Sequence, residues 1–318
     1  MSGPLFTVIM ATYNRRDLLP RAINSVLSQT FGDFELLVID NGSTDDTGSV
    51  VGKFKDPRVK YILNPRPTKS CDAPRNLGID MARGSLVSFL DDDDLWYPER
   101  LGKVKEAFDK NPGACAVCHN ENKTIDGKFV GLLRHGPWSE DIYERLLYDR
   151  NCLSSCAMTI KTGLLRELNG FDLRAEFDSA ADYDLWLRMA AKSVKIFFIE
   201  EPLGEFSVTG RNWSKVNPEF ESRVAFLVKE HIVKYERRGI LRISKKGMRR
   251  LSMLYLIAAR AFLRAGHYGK AAAYFFRAGL FFMIRPALIT DLYKHLKDKR
   301  RLAKDESCPN KLTDPIRS

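Results

Sequence analysis

The sequence has 318 residues, 44% of them hydrophobic and 11% aromatic, with a net charge of +11. That is enough apolar material for one large packed domain and a smaller appendage, and it excludes a disordered or low-complexity chain. Lys and Arg interrupt the apolar stretches well short of the ~20 residues a membrane span needs; with no leader visible ahead of Leu5, a cytoplasmic chain is expected.

The first hundred residues alternate short apolar runs with amphipathic ones. Leu5 to Ala11 reads as a buried strand, and Asp17 to Thr30 as a helix with Leu18, Leu19, Ala22, Ile23, Val26 and Leu27 on one face. Phe34 to Ile39 is a second strand. The loop after it, Asn41-Gly42-Ser43-Thr44, offers Ser43 or Thr44 as cap of the next helix. Val59 to Leu63 is a third strand, Asp72 to Ala82 a helix, and Leu86 to Leu90 a fourth strand that runs into four consecutive aspartates, Asp91 to Asp94. Such alternation predicts a mostly parallel sheet covered on both faces, an α/β fold that binds ligands beyond the carboxyl ends of its strands. Asp40-Asn41 and the aspartate run both fall at such ends.

Beyond residue 114 the pattern changes. Ala114 to Asn120 and Lys128 to Leu133 predict a hairpin around Asp126-Gly127. A strand over Ser155 to Ile160, a short helix over Gly163 to Leu168 and a helix over Asp182 to Ala191 follow, then a polar loop from Gly204 to Asn217. Pro218 opens a helical segment expected to reach about Arg301. Within it Leu254 to Leu263 and Lys270 to Phe282 form a hairpin about Gly266 whose spacing resembles one tetratricopeptide unit. Residues 221 to 301 hold 20 Lys or Arg and 5 Asp or Glu, so the basic character belongs to this segment. Residues after Lys304 read as a disordered tail. Cys115, Cys118, Cys152 and Cys156, with His119, have the donors for zinc, but their surroundings read as buried strands and no zinc site is expected.

Four carboxylates at the end of a buried strand must meet solvent, donors or a cation, because unpaired buried charge is too costly. A divalent cation takes one or two carboxylates together with substrate phosphates, and a solvated acidic turn is the competing reading. The flanking blocks favour the first. Val8-Ile9-Met10-Ala11-Thr12-Tyr13-Asn14-Arg15, Phe34 to Asp45, Arg75-Asn76-Leu77-Gly78-Ile79 and Phe89-Leu90-Asp91-Asp92-Asp93-Asp94 follow in order. Together with Gly170-Phe171-Asp172 and Asp182-Tyr183-Asp184-Leu185-Trp186, they resemble the family 2 glycosyltransferases of GT-A fold over about residues 6 to 212.

The resemblance implies roles. Ala11, Tyr13, Asp40 or Asn41, Arg75 and Asp92 would line the nucleotide pocket, Asn41 standing where the family often has an acid. Asp93, supported by Asp91, would hold Mn²⁺ or Mg²⁺. Asp182 would be the general base, with Trp186 and Asp184 on the acceptor side and Ala181 where a second acid is common. Arg211 or Lys215 would close over the diphosphate. The implied reaction is inverting, metal-dependent transfer from a nucleotide-sugar, a UDP-sugar foremost, to a glycan or lipid-linked acceptor.

Residues 1–218 would form the GT-A catalytic domain, 219–303 a basic helical extension and 304–318 the tail. The extension is expected to lie against an anionic membrane surface rather than nucleic acid, since no recognition motif accompanies its charge. The alternatives are a sugar nucleotidyltransferase, disfavoured because no glycine follows the first strand, and a non-catalytic scaffold of the same fold.

Overall fold

The computed structural model describes residues 3–68, 70–136, 141–209, 217–236 and 243–284. Its strands are β1 (Phe6–Thr12), β2 (Phe34–Asp40), β3 (Val59–Leu63), β4 (Leu86–Phe89), β5 (Leu95–Trp96), β6 (Ala116–Ile125), β7 (Lys128–Leu133), β8 (Met158–Lys161) and β9 (Ile196–Val208). The helices are α1 (Leu19–Leu27), α2 (Thr47–Val51), α3 (Asp72–Met81), α4 (Arg100–Lys110), α5 (Ile142–Tyr148), α6 (Thr162–Glu167), α7 (Ala181–Ala191), α8 (Phe220–Tyr235), α9 (Lys245–Arg264) and α10 (Tyr268–Ile284).

One sheet in the order β3-β2-β1-β4-β8-β6-β9-β5 organises the molecule, with β7 hairpinned onto β6. β1, β2, β3 and β4 are parallel neighbours, Phe6 standing opposite Phe34 on one side and Leu86 on the other. β8 runs antiparallel to β4 and β6, whereas β9 is parallel to β6. β1, β2 and β4 are buried almost along their whole length, as sheets covered on both faces require, whereas the edge strand β3 is partly exposed. The β6–β7 turn forms at Asp126 and Gly127, both at positive φ (48° and 75°), the geometry that matches strand twist in a tight hairpin.

Two features set the sheet's interior. Arg100, at the start of α4, is fully buried and bonds Ser88 of β4 (2.9 Å), Thr159 of β8 (2.9 Å) and His119 of β6 (3.2 Å), its guanidinium 3.7 Å from the Trp96 ring. Burial pulls its pKa down to about 9, so it stays charged at neutral pH and joins three strands beneath the aspartates. Glu35 does the same at the opposite end. It accepts bonds from Thr7 (2.8 Å), Lys60 (2.8 Å) and both the backbone and guanidinium of Arg83 (2.9 and 2.8 Å). Burial would raise its pKa, but those bonds hold it at about 2.

Two local expectations are corrected. Residues Gly204 to Val208, read as loop, are the end of the 13-residue strand β9, which pairs with β6 and with β5. The carboxylate of Asp45, not Ser43 or Thr44, takes the first amide of α2, accepting from Thr47 N at 3.0 Å.

The helices after residue 219 are built into the core of the sheet domain. Val224, Leu227, Val228 and Ile232 of α8, with Leu251 and Leu254 of α9, belong to one apolar cluster with Phe89 and Ile160 of the sheet and Trp186 of α7. α9 and α10 then fold back on one another about Gly266, at φ 77°.

Candidate active site

The candidate residues gather beyond the carboxyl ends of β1, β2 and β4, the place such sheets offer to ligands. Tyr13 follows β1 directly and is 54% exposed, an aromatic ring outside the core. Ala11 is partly exposed one residue before the strand ends. Asn14, at φ 52°, laces this loop to the next: its Oδ1 accepts from Thr44 N (2.8 Å) and Asp45 N (3.3 Å), and its own amide donates to Ser43 Oγ (2.9 Å). Sequence reading assigned Asn14 no role, though Asn is the side chain most at ease at positive φ.

Asp40 and Asn41 do not present free groups to a ligand. Asp40 is 1% exposed and accepts from Tyr61 (2.6 Å) and from Ser43 N (2.7 Å). Asn41 donates to Thr68 O (2.7 Å) and Ser70 O (3.1 Å), and accepts from Asn64 (2.9 Å) and Thr68 N (3.1 Å), which uses its full capacity. In this structure the Asn41 side chain ties Asn64, Thr68 and Ser70 to the end of β2.

The aspartate run divides as four different environments. Asp91 keeps a partly exposed carboxylate bonded to Arg75. Asp92 is buried 4.0 Å from Arg15, and its pKa is pushed up to about 7 by burial first. Asp93 is partly exposed, and burial followed by repulsion from Asp91 raises it to about 6. Asp94 turns inward: it is 2% exposed and accepts from Ser207 N at 2.7 Å, while Arg21 donates to both Asp93 O and Ser207 Oγ at 3.0 Å. These contacts bolt the turn to the end of β9. Oxygens of Asp91 and Asp94 and the Cys156 sulfur also lie within 4.8 Å of one another, a grouping that sequence reading did not foresee.

Asp91 and Asp93 offer the carboxylate oxygens that a hard divalent cation takes, while the grouped donors add Asp94 and a softer sulfur to Asp91.

Arg75 joins this turn to the second half of the chain. It is 7% exposed; Nη2 donates to Asp91, Nη1 lies 3.4 Å from Asp72, and the guanidinium is 5.6 Å from the Phe171 ring. Gly78, one turn on, allows this approach, because a Cβ there would meet Ile9 of β1 at 2.6 Å. Asp182 enters from the first turn of α7. Burial raises its carboxyl to about 6, with Arg75 drawing it down and Asp72 and Asp91 pushing it up. Its one hydrogen bond among the described residues is from Tyr183 N, 2.7 Å, so the other oxygen is available. Asp182 thus lies within the field of both the Arg75 cation and its partner Asp91.

The structure buries both residues expected on the acceptor side. Trp186 is fully buried within the core cluster. Asp184 is 3% exposed, bonded to His231 of α8 (2.9 Å) and to Arg188 (2.5 Å), which hold its pKa below the usual carboxylate range despite burial. Both hold α7 in place rather than face the cleft. At the helix entry Arg223 of α8 bonds Asp178 O at 3.1 Å and the Asp178 carboxylate, ahead of Ser179 at φ 67°. Arg211 and Lys215 lie outside the described residues.

The profile described as Glycosyl transferase family 2 matches residues 7–169, half the chain, covering both loops and the aspartate run. The chain is a family 2 glycosyltransferase. It is 33% identical over 190 residues to the UDP-Glc:alpha-D-GlcNAc-diphosphoundecaprenol beta-1,3-glucosyltransferase WfgD of Escherichia coli, spanning 59% of this chain and 70% of that protein. Among solved structures it superposes on Staphylococcus aureus TarS 1–349 with UDP-GlcNAc (TM-score 0.59, 19% identity, covering 86% of this chain and 92% of that one). It also superposes on the mannosyltransferase PcManGT of Pyrobaculum calidifontis with GDP-Man and Mn²⁺ (TM-score 0.54, 20% identity, 92% and 84%). These two likenesses establish the GT-A fold. Other matched relatives are much longer proteins, of which the chain spans only 20% to 34%.

Proposed function

We propose that this glycosyltransferase moves a sugar, with inversion, from a UDP-sugar to a lipid-linked glycan. What supports the reading is that Asp182, in the first turn of α7, lies within electrostatic reach of Arg75 and of Asp91, which Arg75 pairs at the end of the aspartate run. Support for the donor and acceptor comes from the named activity of the Escherichia coli relative, whose donor is UDP-glucose and whose acceptor is a diphosphoundecaprenol-linked sugar.

In this reading the exposed ring of Tyr13 stacks on the base, a contact open to any base because every base has an aromatic face. Ala11 lets the nucleotide approach the end of β1. Asp92 lies toward the ribose and phosphates. Asp93 and Asp91 hold Mn²⁺ or Mg²⁺, which when bound neutralises charge on the departing diphosphate. Arg75 fixes Asp91 and lends positive potential to the same space. Asp182 takes the proton of the acceptor hydroxyl as that oxygen attacks the anomeric carbon; a carboxylate near pH 6 is ionised at neutral pH yet basic enough to receive it. The enzyme works at a cytoplasmic membrane face, where such an acceptor is held. The nucleotidyltransferase alternative falls with the family assignment.

The test is calorimetry with UDP, GDP and dTDP, each with and without Mn²⁺, followed by transfer assays from the matching sugar donors to a diphosphate-lipid acceptor. Metal-dependent binding of UDP and loss of transfer in Asp182→Asn with binding retained are expected. Failure of every nucleotide to bind would overturn the reading.

A further inference from the structure

The helical hairpin α9–α10 carries a surface the reaction does not use. Its two helices contain eight Lys or Arg and no Asp or Glu. On α10, Ala271, Tyr274 and Ala278 face inward, at the i, i+3, i+7 spacing of one helix face. The opposite side presents Tyr268 (71% exposed), Ala272, Phe275 and Phe276 (68% exposed), again at helical spacing. The outer face of α9 interleaves Ile257 and Leu263 with Arg260 and Arg264, and neither arginine has an acidic partner among the described residues. Arg277 flanks the aromatic stripe, and its guanidinium lies 4.8 Å from the Tyr274 ring.

We infer that the outer face of the α9–α10 hairpin docks on the surface of an anionic lipid bilayer, with Phe275 and Phe276 entering the headgroup boundary and Arg260, Arg264 and Arg277 meeting lipid phosphates. This deepens the proposed function by naming the surface that brings the site to a lipid-linked acceptor, and it rests on that reading for its purpose only. Three features select this occupant. No helix among the described residues is long and apolar enough to cross a membrane, so the face lies along the bilayer. Apolar rings beside unpaired cations are the composition of an interfacial helix. A second copy would set cations against cations, and residues 285–318, with nine basic and five acidic side chains, carry the same sign of charge.

The experiment is co-sedimentation of the full chain with phosphatidylcholine vesicles, with and without phosphatidylglycerol, alongside calorimetry of UDP with Mn²⁺. The wild-type chain is expected to bind only the anionic vesicles and to be released by salt. F275S/F276S and R260Q/R264Q are each expected to weaken binding at least about tenfold, with UDP binding unchanged because both pairs are exposed and outside the cleft. Equal affinity for neutral vesicles, or full binding by both double variants, overturns the proposal. So does binding that disappears on removal of residues 285–318 while the face is intact, or a wild-type dimer lost in F275S/F276S. Vesicle binding without UDP binding would leave the docking face standing and sink the proposed reaction; the converse would do the reverse.

Discussion

Replacing Glu35 by Gln tests whether the parallel half of the sheet depends on one buried carboxylate. The fall of its pKa from 4.5 to about 2 corresponds to ~3 kcal/mol of stabilisation of the folded state. Lys60 and Arg83 are 39% and 58% exposed, and solvent screening reduces the expected loss to ~2 kcal/mol. Because the folded value is depressed, this stability is fully present above about pH 4.5 and is lost as pH falls toward 2. Urea unfolding of both proteins should therefore differ by ~2 kcal/mol at pH 7 and by less than half of that at pH 3. A gap that stays constant with pH would show that Gln disturbs packing instead, and no gap at pH 7 would refute the reasoning outright.

Three further outcomes follow from the site. The rate of transfer at saturating substrates should rise through an acid limb near pH 6 as Asp182 ionises, and Asp182→Asn should lower kcat by roughly 10²–10⁴; a pH-independent rate from 5 to 8 would remove Asp182 as base. Chelation should abolish tight UDP binding, and Asp93→Asn should weaken the Mn²⁺-dependent part at least about tenfold; an unchanged Mn²⁺ response would place the cation on other residues. His231→Ala should cost about 1–3 kcal/mol by leaving Asp184 short of a buried partner, and should lower kcat more than donor affinity. Equal losses in both would mean the whole cleft had collapsed.

The elements of the first half were legible because their signals are local. Continuous apolar strands, amphipathic α1 and α3, and a polar turn after each strand need no distant partner to be recognised, and β3 begins and ends at the expected residues. The aspartate run was legible too, as carboxylates that no core accepts. Less legible were the surroundings of side chains whose partners lie far along the chain. Asn41 and Asp184 have the chemistry of ligand-binding residues, and their bonds go to Asn64, Thr68 and Ser70 and to His231. Trp186 stands between Leu185 and Leu187 and belongs to the same apolar cluster as residues of α8 and α9, which lie far along the chain. Arg100 reads as a surface helix residue, and only the meeting of β4, β6 and β8 makes it a core cation. Residues 204–208 read as loop, but the Ser207 amide holds the Asp94 carboxylate and the segment pairs with β5 and β6, contacts that composition does not record.

The brace of α8 on α7 has a consequence for the order in which the protein is made. Chains emerge from the ribosome amino end first, and the strands that hold the donor-side loops are complete within the first ninety residues. The helix bearing Asp182 appears next, but Asp178 and Asp184 wait for Arg223 and His231, some forty to fifty residues later. A nascent chain therefore completes its first four strands early and fixes the entry of α7 last. A chain halted before α8 would lack both the partners of Asp178 and Asp184 and part of the apolar cluster beneath the sheet.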